Sequence, residues 1–185
     1  MAGLTLERLR RLTAGFCGRV AVETGTFEAA TTRLLLQLFE VVHTIELEKS
    51  RFERCRLLLA DTRAVCHQGD SAAVLPEICR LHADEPVFFY LDAHQIAPQH
   101  LGPGRWPLPV ADSFPLWGEL KVIAGRNQLD RVVVDDVHAF GRREKGWNRV
   151  RVAKLRQALR RVRYSRVLGD QWVAQLQPGE QGPVP

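Results

Sequence analysis

No apolar run in this 185-residue chain approaches the ~20 residues that a membrane span needs. Paired metal-type cysteines are missing too: Cys17, Cys55, Cys66 and Cys79 are scattered, form no Cys-x-x-Cys pair and do not cluster with histidine. Four reduced thiols are expected, neither a zinc site nor a disulfide framework. The opening MAGLTLERLRRLTAG carries charge where a secretory signal would be apolar, so a cytoplasmic location is expected. Both common phosphate grips are absent. No Walker lysine follows a glycine-rich loop, and in VETGTFEAATT threonine and Ala29 occupy positions where GxGxxG requires glycine.

What is present is ordinary in bulk and uneven in layout. At 45% apolar and 25% charged, the composition is that of a globular domain. One domain is expected over 1–177, with a frayed tail over 178–185. Residues 142–166 hold eleven Lys or Arg against one Glu, whereas the chain before them is mildly acidic. That basic segment reads either as a solvated amphipathic helix or as a patch for nucleic acid or an acidic substrate.

Apolar runs alternate with helical patterns, which predicts a parallel α/β sheet covered on both faces. Strands are expected near 19–23, 41–46, 64–68, 87–91 and 131–135. A C-terminal antiparallel hairpin follows, with strands at 164–168 and 172–176 around Gly169-Asp170-Gln171. Helices are expected near 4–14, 28–40, 49–60, 71–83, 115–124 and 147–161. Residues 95–113, with four prolines and two glycines, break the pattern and read as a lid that includes Trp106.

Acidic residues fall where these strands end: Glu23, Glu46, Asp70, Asp92 and the pair Asp135, Asp136. Carboxylates near a core are costly unless something binds them, and ligands of open α/β sheets dock at the carboxyl ends of strands. Glu23 could accept from an ammonium or amide, beside a turn at Gly25 that admits close backbone approach. Glu46, at the next strand end, is placed to accept both hydroxyls of a ribose. Asp70 either bonds the exocyclic amine of adenine or N-caps the following helix.

The series VETGT, TIELE, QGDS, LDAH and VVVDDVHAFG resembles the class I S-adenosylmethionine-dependent methyltransferases over roughly residues 15–177. The resemblance implies a Rossmann-like fold of seven strands, the last inserted antiparallel beside the fifth. It implies that Glu23, Gly25 and Thr26 contact the methionine part of S-adenosylmethionine, Glu46 the ribose, and Asp70 with Ser71 the adenine. Asp92 closes the same pocket. Asp92, Asp135 and Asp136 resemble the metal ligands of catechol O-methyltransferase-like enzymes and suit Mg²⁺, Mn²⁺ or Ca²⁺. Those enzymes carry a lysine three residues after the first Asp, where Gln95 stands here, so either His94 or His138 would act as base or the metal alone would acidify the substrate. The implied activity is methylation of a small-molecule hydroxyl. The alternatives are a nucleic-acid methyltransferase using 142–166 and a non-catalytic protein that binds the adenosyl ligand.

Overall fold

The computed structural model describes residues 4–93, 114–142 and 147–179. The expected lid with Trp106, the candidate base His94 and the end of the tail lie outside the described residues. Strands β1 (Val20–Thr24), β2 (Val41–Glu46), β3 (Ala64–Gln68), β4 (Val87–Leu91), β5 (Arg131–Val134), β6 (Val162–Leu168) and β7 (Gln171–Leu176) form one sheet. Its order is β3-β2-β1-β4-β5-β7-β6. The first five strands are parallel, and β7 runs antiparallel between β5 and β6.

Helices α1 (Leu6–Thr13), α2 (Ala30–Leu35), α3 (Lys49–Leu58), α4 (Ser71–Leu81), α5 (Leu116–Ala124) and α6 (Val152–Leu159) cover the two faces. Alternation along each strand assigns the faces. Val20, Val22, Phe89 and Val132 pack with Leu75 of α4, Leu120 of α5 and Leu155 of α6. Ala21, Val42, Phe88 and Val133 pack with Leu9 and Leu12 of α1 and Leu35 of α2. The strand VFFYL is buried along its whole length because it lies between β1 and β5 with helices on both sides.

Several elements differ from their expected bounds. The helix expected over 28–40 is only Ala30–Leu35, because Ala29 enters with φ +60 and the chain tightens afterwards into Gln37-to-Leu34 and Leu38-to-Leu35 backbone bonds. The basic helix expected from 147 starts at Val152. Trp147–Arg149 form a separate 3₁₀ turn, and Arg151 is extended. Trp147 packs there against Phe114 and Phe140. Pro76, expected in the first turns of its helix, stands sixth in α4 with its side chain exposed.

The edge of the sheet where the parallel strands begin is stapled by two arginines. Arg126 Nε bonds Asp130 Oδ2 at 2.8 Å, and its other nitrogens reach the carbonyls of Cys79, His82 and Glu85. Asp130 Oδ1 in turn accepts the Val87 amide that opens β4. Arg131 bonds Gln175 and the carbonyls of Leu12 and Ala14, tying α1 to the sheet.

Candidate functional site

The opposite edge gathers the acids. Successive turns climb it by backbone bonds: Gly25 N–H donates to the Ile45 carbonyl, Gly69 N–H to Glu46, and Asp92 N–H to Thr24. Gly25 is required here. Its φ is +85, and a Cβ would stand 2.7 Å from the Asp92 carbonyl oxygen. The loop after it holds two further left-handed residues, Phe27 and Ala29, where a side chain costs conformational energy.

Glu23 points to the α2 face. Its Oε2 accepts the hydroxyls of Thr32 at 2.5 Å and Thr44 at 2.6 Å, and Thr44 also bonds Thr26 at 2.6 Å. Burial pushes the Glu23 carboxyl up to about 8, against those two hydroxyls, and the negative charges of Asp92 and Glu46 raise it further. Glu46 bridges two loops: Oε2 accepts the Phe27 amide at 2.9 Å and Oε1 the Glu48 amide at 3.0 Å. Each oxygen retains a lone pair beyond those bonds. Asp70 caps α4 by accepting the Ala72 amide at 2.9 Å.

Ser71 leads to a residue that sequence reading missed. Its hydroxyl donates to Glu119 Oε1 at 2.5 Å. Glu119, on α5, is buried on the face opposite Glu23. Burial pushes its carboxyl up to about 7, with bonds from Ser71 and Thr24 opposing the rise and the charges of Asp70 and Asp92 adding to it. The signal lay in spacing: the buried stripe of α5 is Leu116, Glu119, Leu120, Ile123, so the acid sits on the apolar side of its helix.

The charge of Asp92 thus acts on both Glu23 and Glu119, that of Glu46 on Glu23 and that of Asp70 on Glu119. Among the described residues, neither Glu23 nor Glu119 has an arginine or lysine at ion-pair distance.

The ends of β4 and β5 hold the second group. Asp135 is mostly buried and takes three donors: the Tyr90 hydroxyl, Gln171 Nε2 at 2.7 Å and the Asp136 amide at 2.8 Å. Burial raises its carboxyl above the ordinary range. Asp136, with φ +58, turns toward His138, whose Nδ1 lies 3.7 Å from Asp136 Oδ1. His138 Nδ1 pairs more closely with Asp170 Oδ2, at 2.6 Å, and its amide donates to Asp170 Oδ1 at 2.8 Å. Among the described residues, the one group of three candidate metal ligands whose donor atoms lie within 4.8 Å of one another is Asp136, His138 and Asp170. Asp92 and Asp135 are not in that group.

Of the basic run, Lys154 and Arg156 lie on the exposed side of α6, and Arg163 and Arg166 face solvent on the edge strand β6. Charge on an edge strand also blocks pairing with another chain. Among the described residues, no helix is long and apolar enough to cross a membrane.

This sheet order, with one reversed strand and acids at the strand ends, is the class I methyltransferase fold. No family model and no curated protein matches the chain in sequence. Solved structures match it in shape. The O-methyltransferase TomG from Streptomyces achromogenes, crystallised with S-adenosylmethionine, superposes with TM-score 0.52 at 21% identity, over 94% of this chain and 78% of that one. MycE methyltransferase of the mycinamycin pathway, crystallised with Mg and S-adenosylhomocysteine, gives TM-score 0.62 at 13% identity, over 97% of this chain. The match spans 51% of MycE. A Staphylococcus aureus protein provisionally assigned to the caffeoyl-CoA O-methyltransferases gives 0.60 at 14% identity, over 96% of this chain and 84% of that one.

Proposed function

We propose that the protein is an S-adenosylmethionine-dependent methyltransferase acting on the hydroxyl of a small molecule. The observation that carries this is the acid-rich strand edge. Burial, with the charges of Asp92, Glu46 and Asp70 adding to it, raises the proton affinity of Glu23 and Glu119, and a ligand that is cationic and rich in hydroxyls answers both needs. When bound, S-adenosylmethionine supplies an activated methyl group on a positively charged sulfur.

The chain's own residues then hold and orient. Glu46, already fixed by the Phe27 and Glu48 amides, takes the ribose hydroxyls with its remaining lone pairs. Asp70 and Ser71 face the adenine at the α4 N-terminus. The Gly25 turn, with Glu23 and Thr26 beneath it, receives the amino-acid end. Most of the rate comes from aligning donor and acceptor and excluding water.

We assign the role of proton acceptor to His138. Asp170 fixes its Nδ1 as the hydrogen-bearing nitrogen and leaves Nε2 to take the acceptor's proton. The metal part of the reading remains a proposal with a changed donor set. Asp136, His138 and Asp170 offer one nitrogen and two oxygens, so the transfer is written here with no metal step.

Calorimetry with S-adenosylmethionine and S-adenosylhomocysteine, with and without Mg²⁺, tests the reading. Binding of both is expected, and Glu46→Ala should weaken both about ten- to hundredfold, the worth of a charged hydrogen bond. Undetectable binding of either ligand to the wild type would overturn it. A Mg²⁺ requirement for turnover, lost in Asp136→Ala with cofactor affinity retained, would establish the metal.

A further inference from the structure

Half of the chain's six histidines meet at one place, at the end of α4 far from Asp70 and Ser71. His43 of β2 is 2% exposed and lies between the other two. Its Nδ1 is 2.9 Å from Nε2 of His67 on β3, and its Nε2 is 2.8 Å from Nε2 of His82, the residue that ends α4. His82 Nδ1 is 2.8 Å from Glu85 Oε1, and the other oxygen of Glu85 accepts from Arg19 Nε at 3.0 Å. The charged groups brought here by the surrounding elements are Glu85 beside His82, Arg19 on Glu85 with Glu40 beyond it, and Arg126 on the His82 carbonyl.

The proton count of this chain is fixed by its ends. Glu85 is a carboxylate, held below its usual range by the bond from His82, so it only accepts and His82 Nδ1 carries a hydrogen. A neutral imidazole carries one hydrogen, so His82 Nε2 is bare and His43 Nε2 donates to it. His43 Nδ1 is then bare in turn and accepts from His67 Nε2. This is the one pattern of tautomers that satisfies three neutral rings. One further proton fits at His67 Nδ1, the outer nitrogen, and disturbs neither ring–ring bond. A second does not fit. The two ring–ring contacts need a bare nitrogen each, and five hydrogens on six ring nitrogens leave only one, whichever rings hold the charge.

We propose that His67, His43 and His82 form an acid-sensitive latch on the C-terminal end of α4, which takes one proton from solvent and stays closed, and on taking a second parts one ring–ring bond and frees that end of the helix from β2 and β3. Burial opposes the charging: it pushes His43 down to about 4, with the charges of His67 and His82 adding to the fall, and it lowers His67 as well. The folded protein thus binds protons at His43 less readily than an unfolded chain with the ordinary 6.5. The stability the latch contributes is fully present above about 6.5 and is lost as pH falls toward about 4. None of the residues assigned to the cofactor takes part, so the latch does not depend on that reading.

NMR of the full chain labelled with ¹⁵N-histidine tests this directly. At neutral pH, scalar couplings across the hydrogen bonds should join His43 Nδ1 to His67 Nε2 and His43 Nε2 to His82 Nε2. Both should survive uptake of the first proton, and one should vanish with the second. Over the same range the His82 amide, which donates to the Ile78 carbonyl at 3.1 Å, should lose hydrogen-exchange protection by about tenfold per pH unit, while the amides of β4 keep theirs. His43→Phe removes the middle ring and should abolish that acid response; where this variant folds poorly, the couplings of the wild type decide alone. Absence of ring–ring couplings at neutral pH, persistence of both below about pH 4, or an acid loss of His82 protection unchanged in His43→Phe would overturn the latch.

Discussion

Asp130, just before β5, and Glu119, on α5, are both buried acids, one at each edge of the sheet, and the protein treats them in opposite ways. Asp130 has the Arg126 guanidinium on it, itself anchored by three carbonyls. Among the described residues, Glu119, like Glu23 on the other face, has hydroxyl partners and no arginine or lysine at ion-pair distance. A carboxylate that only supports the fold is neutralised by the fold. Carboxylates left without a basic partner mark the edge where charge is expected from outside, which is why the strand ends, and not the more numerous surface ion pairs, define the candidate site.

The sharpest way to break this contrast is to strip Asp130 of its cation. Arg126→Met should cost about 3–5 kcal/mol in chemical denaturation, because it leaves a buried charge uncompensated. The double variant Arg126→Met, Asp130→Asn should recover a substantial part of the loss.

The opposite edge is probed by pH. Glu119 has a folded value of about 7, above the ordinary 4.5. Between these values the folded protein holds the proton more tightly than the unfolded chain does. Stability from this group is therefore fully present below 4.5, is lost as pH rises, and levels off above 7. The slope is at most about 1.4 kcal/mol per pH unit. Subtracting the denaturation profile of Glu119→Gln from that of the wild type should reveal this fall; a flat difference would show that the carboxyl is ionised at no cost. The smallest effect concerns the loop between the two faces. Ala29→Gly should stabilise by roughly 0.5–1 kcal/mol by relieving a left-handed alanine, as φ +60 requires. No gain in denaturation midpoint would mean that the buried methyl of Ala29, packed near Cys55 and Leu59, offsets the strain.

Much of this was legible beforehand. VFFYL and RVVV announce strands buried on both faces, and the acids closing the strands identify the edge that matters. The antiparallel C-terminal hairpin was legible in its tight turn, and the insertion of the last strand beside β5 only through the family resemblance. What escaped reading has a common physical cause. Hydrophobic periodicity reveals which face of an element is buried, but not which polar group on that face finds a partner on another element. Spacing puts Glu119 on the apolar side of α5, but only the fold brings Ser71 and Thr24 to it from two other elements. The pairing of His138 with Asp170 joins the loop after β5 to the β6–β7 turn, 32 residues apart, and no local pattern encodes it. Nothing in the sequence announces Tyr90 and Gln171 as partners of Asp135.

Gly25 carries one more implication. Its α-carbon rests against the main chain at Asp92, with no side chain to cushion the contact. The floor under the proposed methyl donor and the ledge facing the proposed acceptor are thus a single piece of backbone. Neither can yield without displacing the other, so a mutant lineage adapting to bulkier acceptors would have to remodel the walls and leave this joint alone.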